Sequence, residues 1–329
     1  MGTKTYLLLG DPDRRWTVLA SVSGAIYMEN DANDLLWLAG GGLALHGRAI
    51  LLDSMPSRLP SPGTPCWFRR SSLHIGHQLV VDLEGAAVWR PALAPRDEVR
   101  LVERCDHLVR ALHRFALQTV SRGYFIHVVA PAVAHTGSGS GIGTTLVFAA
   151  RRGIAALERL TSGSDLVKGL EAAQGLVGLG EGLTPSGDDF LGGFLFTLSV
   201  LDRASGSSCG IDWEGVMAWI QRVEPLTNKI SYPMLVDHAR GEAAEPLLTL
   251  LQATLTESSL ARLARLASRV GGIGNSSGWD MLAGVYCATS VAKRMLDGAS
   301  DAGSGSLGDA NRDSTYLQAQ RRKEAVRVC

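Results

Sequence analysis

At 329 residues the chain can bury a substantial core, and length alone favours two domains over one. Apolar residues make up 46% and charged residues 19%, and 32 basic side chains balance 32 acidic ones, so nothing provides an electrostatic grip on nucleic acid or an anionic membrane. Cys66, Cys105, Cys209, Cys287 and Cys329 are scattered without a CxxC pair, against a disulfide framework or a structural zinc site.

The N-terminal apolar run Tyr6–Leu9 is too short for a signal peptide, and apolar stretches elsewhere are interrupted before they reach membrane-spanning length. A cytoplasmic location is the expectation. Residues 1–95 read as a strand-rich domain. Tyr6–Leu9, Ala25–Tyr27, Leu35–Leu38, Ala49–Leu52, Gln78–Leu83 and Ala87–Trp89 are β-prone segments between Gly, Pro, Asp and Asn clusters, as in a small barrel or sandwich. Ser54–Pro65 is rich in proline and reads as a loop.

Past Pro95 the period changes. Val99, Leu101, Val102, Cys105, Leu108, Val109, Leu112, Phe115 and Ala116 recur at steps of mostly three and four, predicting an amphipathic helix. Tyr124–Ala130 reads as a strand and Thr136–Gly143 as a flexible glycine-rich segment. Helices are then predicted over 144–160, 165–178, 186–202, 212–222, 229–240, 242–256, 258–269 and 277–296. The whole is an α+β chain: a strand-rich N-terminal domain, a mainly α-helical domain over 96–297, and a disordered tail over 298–329.

Within the helical part the pattern S-G-x-D-x-L-x-G occurs twice, at 186–193 and 277–284, an offset of 91 residues. Each copy follows a glycine-rich approach and opens an apolar helix. A serine with an aspartate three residues on suits a variant capping box. That role needs neither the spaced glycines, nor Thr184-Pro185, nor a second carboxylate. Glycines permit close approach to a ligand, and N–H groups at a helix start attract anions. Thr184, Ser186 and Gly187 are therefore candidates for an anion, with Asn275, Ser276, Ser277 and Asp280 completing a pocket. Asp188 and Asp189 are candidate catalytic residues, able to accept from an amide NH₂, to transfer a proton, or to hold a divalent cation such as Mg²⁺.

At GLGEGLTPSGDDFLGG and GNSSGWDMLAG, and more loosely at TNKISYPMLVDHARGE, the chain resembles the AllH-like family, associated with bacterial oxamate carbamoyltransferase in allantoin breakdown. It departs at Glu181 and Asn275, where proline and histidine are common in that family. The resemblance implies transfer of a carbamoyl group between a ureido acid such as oxalurate and phosphate. It also implies action alongside two other subunits, with a carbamate kinase consuming the carbamoyl phosphate. A non-catalytic assembly or ligand-sensing subunit is the alternative, with the glycines serving packing and capping.

Other motifs carry less. TGSGSGIG (136–143) lacks the Lys-Ser/Thr of a phosphate-binding loop, and HIGH (74–77) precedes a strand-like segment. The histidines show no metal-ligand spacing, and GSSCG and GNSSG follow no convincing strand, as a nucleophile elbow requires.

Overall fold

The computed structural model describes residues 1–9, 14–40, 42–69, 71–91, 100–119, 122–129, 141–206, 209–256 and 259–298. Seven strands form one sheet in the order β4-β3-β2-β1-β5-β6-β7: β1 Trp16–Val22, β2 Ala25–Asn30, β3 Leu35–Ala39, β4 Ala49–Leu51, β5 Pro65–Arg69, β6 Ser72–Ile75 and β7 Leu79–Asp82. Consecutive strands joined by tight turns pair antiparallel; β3 and β4 run parallel, Trp37 opposite Ala49. Among the described residues the strands make one sheet, a half-barrel with β4 and β7 as its two edges, in place of a closed barrel or a two-sheet sandwich. One face buries Trp16, Val18, Ile26, Met28, Leu36 and Leu73 in a core of its own. The opposite face of β3, with Leu35 and Trp37, packs against Ile230, Leu183 and Met234 of the helical part. Strand β3 is buried along its whole length.

Two predicted strands are not strands. Tyr6–Leu9 falls on helix α1, Thr3–Leu8, and Ala87–Trp89 contributes only one bridge, from Trp89 to Gly2. A short apolar run reads alike as helix or strand by periodicity. Here Met1 and Gly2 use their backbone groups on Ala87, Trp89 and Ala49, and the residues after them close local helical bonds that leave Tyr6 and Leu7 exposed. Strands β1, β5 and β6 were not anticipated; of the expected loop Ser54–Pro65, residues 54–64 are loop and Pro65 opens β5.

Ten further helices follow among the described residues: α2 Leu101–Gln118, α3 Ile126–Val129, α4 Gly141–Glu158, α5 Leu166–Ala172, α6 Ser186–Ala204, α7 Trp213–Val223, α8 Ser231–Ala239, α9 Glu245–Thr256, α10 Leu260–Gly271 and α11, residues 277–298. The segment predicted as a strand at 124–130 contains the short helix α3, and the predicted helix 165–178 divides into α5 between two 3₁₀ turns. Residues 136–140 and 299–329 lie outside the described residues, so the predicted glycine-rich segment is described only from Gly141, where it is helical, and the predicted tail only at residue 298, which ends α11. No helix among the described residues is long and apolar enough to cross a membrane.

Helix α6 is buried at every position except Arg203. Glycine allows it to cross α11 at backbone distance. A Cβ on Gly193 would lie 2.2 Å from the Met281 carbonyl oxygen, and one on Gly284 would lie 2.0 Å from that of Phe190. These two contacts are related by the same 91-residue offset as the sequence pattern.

The sheet is tied to the helices by charge. Arg48, just before β4, donates to both oxygens of Asp237 on α8, from Nε at 2.6 Å and Nη2 at 2.8 Å, and its Nη1 donates to the Leu35 carbonyl. Lys4 approaches Asp237 and Glu242. With these cations close by, the Asp237 carboxyl is held down at about 2 despite burial, which alone raises it.

Candidate functional site

The two helix starts meet. Thr184 Oγ1 and Ser277 Oγ are 2.9 Å apart, although 93 residues separate them along the chain. Beside this contact lies a cavity of about 370 Å³. Of the residues singled out in the sequence, Thr184, Ser186, Asn275, Ser276 and Ser277 line it. Tyr27 from β2, Tyr124 and Glu181 also line it and were not anticipated. Tyr27 arrives from a strand distant in sequence, where its place alternates like any half-buried strand residue. Its hydroxyl pKa is raised, by burial first and by nearby Asp189 second.

The carboxylates are shared across the helices. Ser186 is the first residue of α6, behind Pro185, and no side chain caps that helix. Asp189 is 4% exposed; burial carries its pKa well above the usual carboxylate range, hydrogen bonding from Ser277 draws it down, and Asp280 raises it again. Asp280 has no exposure and rises to about 7, again chiefly through burial, against hydrogen bonding from Ser186 and the backbone. Its Oδ1 accepts the N–H groups of Tyr124 and Phe125 at 2.8 and 3.2 Å. Each serine thus serves the aspartate of the other helix, instead of a capping box closing within each helix. One oxygen of each carboxyl, Oδ2, has no partner among the described residues. Such a group is costly to bury charged, and retaining a proton relieves that cost.

Asp188 has a different environment. Its Oδ1 accepts the Gly178 N–H at 2.8 Å, and its Oδ2 accepts from the Thr227 hydroxyl. Burial raises its pKa, with Thr227, Gly178 and Ser231 opposing. Asp188 and Asp189 therefore face different partners and do not converge on one cation seat, and among the described residues no group of three or more His, Cys, Asp or Glu side chains is arranged for a metal. The Gly187 N–H is also committed, donating to the Leu179 carbonyl at 2.8 Å, so it is not offered to an anion. A Cβ at 187 would fall 1.8 Å from the Leu176 oxygen, which explains the glycine by packing. Gly178, with φ of 69° and the Leu226 oxygen 2.1 Å from where a Cβ would stand, must be glycine as well.

Fold and site together define an α+β protein with a hydroxyl-lined cavity at the crossing of two buried helices. The model of the family described as oxamate carbamoyltransferase subunit AllH matches residues 176–289. That span contains both helix starts and everything between them, and the match supports an AllH-like family, whose name associates it with oxamate carbamoyltransferase. No curated protein and no solved structure matches the chain.

Proposed function

We propose that this chain is a carbamoyltransferase subunit that holds a small ureido acid, oxalurate-like, together with phosphate in the cavity between α6 and α11. The observation that carries the reading is the Thr184–Ser277 contact beside a polar cavity, with a protonatable carboxyl behind each serine. Thr184, Asn275, Ser276 and Ser277 supply donors for an anionic end. Such donors are strongest when already fixed in place, as at two buried helix starts.

In the transfer itself a phosphate oxygen attacks the ureido carbonyl carbon. The bond from that carbon to the inner nitrogen then breaks, giving carbamoyl phosphate and an amide. The departing nitrogen needs a proton. In this reading Ser186, which lines the cavity and is backed by Asp280, delivers it, and Asp280 regains a proton from the phosphate. A pKa near neutrality suits that exchange. Asp189 orients Ser277, and Asp188 orients the 178–182 loop that carries Glu181. Other protein subunits complete the enzyme.

The test is calorimetry on the isolated chain with carbamoyl phosphate and with oxalurate, with and without Mg²⁺. Saturable binding lost in a Ser186→Ala, Ser277→Ala double variant is expected. No binding at millimolar ligand overturns the reading and favours a non-catalytic assembly subunit. The glycine contacts between α6 and α11 are what that second reading rests on.

A further inference from the structure

A second cavity, of about 310 Å³, lies between the β2–β3 region of the sheet and the crossing helices. Its wall is largely apolar and aromatic, including Tyr27, Trp37, Met234, Ile273 and Met281. Among the described residues lining it there is no Asp, Glu, Lys or Arg. It shares Tyr27, Thr184 and Ser277 with the first cavity, so the hydroxyl pair stands in the wall between them.

His46 is the notable polar group of this wall. It is 2% exposed, and its ring lies 4.9 Å from that of Trp37. Nδ1 accepts the backbone N–H of Arg48 at 3.2 Å, which puts the proton of the neutral ring on Nε2. Nε2 has no partner. Burial keeps the ring neutral, and Asp237 neutralises the neighbouring Arg48 through two hydrogen bonds. His238 also lines the cavity, but its Nδ1 is turned toward Gly192, 2.5 Å from where a Cβ would stand. A buried donor without an acceptor, in a neutral wall with two aromatic faces, calls for one kind of guest.

We propose that this cavity is a second binding site, for a neutral, flat group carrying a hydrogen-bond acceptor, an amide carbonyl or heteroaromatic nitrogen that takes the His46 Nε2–H. Anions are disfavoured here because the wall is largely apolar and aromatic and offers few donors to replace their hydration. The site stands independently of the carbamoyl chemistry and is probed without it.

The experiment is NMR of the full chain with ¹³C-methyl methionine, following Met234 and Met281 while benzamide, benzoate and toluene are titrated in turn. Saturable shifts with benzamide, about ten-fold tighter than with either other probe, are expected, since one hydrogen bond is worth up to about that factor. His46→Phe lowers benzamide affinity to the level of toluene, His46→Gln restores part of it, and Ala244→Phe closes the cavity to all three. No saturable shift at millimolar benzamide overturns the proposal, as does benzoate binding equally well in the unaltered protein. Loss of carbamoyl phosphate binding in calorimetry, with benzamide binding intact, separates failure of the first site from failure of this one.

Discussion

At the third residue of its helix, α6 carries Asp188 where α11 carries Trp279, within an otherwise shared pattern. Asp188 accepts from Gly178 and Thr227 and so fastens a glycine-rich loop at the rim of the cavity. Trp279, 3% exposed, stacks on Phe115 of α2 with ring centroids 4.9 Å apart and planes 17° from parallel. Around this difference several contacts are reciprocal: Ser186 with Asp280, Ser277 with Asp189, Gly193 with Met281 and Gly284 with Phe190. The third position of α6 thus adds hydrogen bonds to a loop, and that of α11 adds apolar stacking on a neighbouring helix.

The sharpest break in that comparison is Trp279→Ala. Removing a buried tryptophan costs about 3–5 kcal/mol, a fall in melting temperature on the order of 10 °C, while amide exchange in the 178–182 loop changes no more than globally. Next come Gly193→Ala and Gly284→Ala, each forcing a methyl into a carbonyl oxygen at a cost of about 1–3 kcal/mol. Reciprocity demands similar losses in thermal denaturation; a tolerated alanine at only one position shows that the crossing is not symmetric. Asp188→Ala removes the acceptor of the Gly178 N–H and the Thr227 hydroxyl, both half-buried, at about 1 kcal/mol in all because water takes up part of the loss. Its signature is local: faster amide exchange at 178–182 and weaker ligand binding in calorimetry, with α11 unchanged.

The last effect is one of pH. The Asp280 carboxyl sits at about 7 in the folded chain against an ordinary 3.8, so the native state holds its proton more tightly than the unfolded state. Its stabilising contribution is complete below pH 3.8 and is lost as pH rises through about 7. His46 and His238, buried neutral and lowered to about 3 and 4, act in the opposite sense over the same range. The informative quantity is therefore the difference between the unaltered chain and Asp280→Asn in urea denaturation at pH 5 and pH 8. The unaltered chain loses stability relative to the variant at the higher pH; parallel behaviour removes Asp280 as a titrating group.

The helices were legible in one dimension because their cause is local. The apolar stripes of α2, α7 and α10 repeat at the helical period, and the S-G-x-D-x-L-x-G echo marks where α6 and α11 begin. Short runs in the N-terminal part carried less information, so Tyr6–Leu9 formed a helix instead of the expected strand and β1, β5 and β6 went unanticipated.

By itself, then, the sequence determined the α+β character, the positions of the long helices and the two glycine-rich starts, since periodicity, capping residues and glycine act over a few neighbours. Only the tertiary structure decided which serine faces which aspartate, that Asp188 turns to Gly178 and Thr227, and that Tyr27 reaches the cavity from β2. Those pairings join residues far apart along the chain, and burial selects them after the helices exist: a carboxyl withdrawn from water takes whatever donors the packed backbone brings to it.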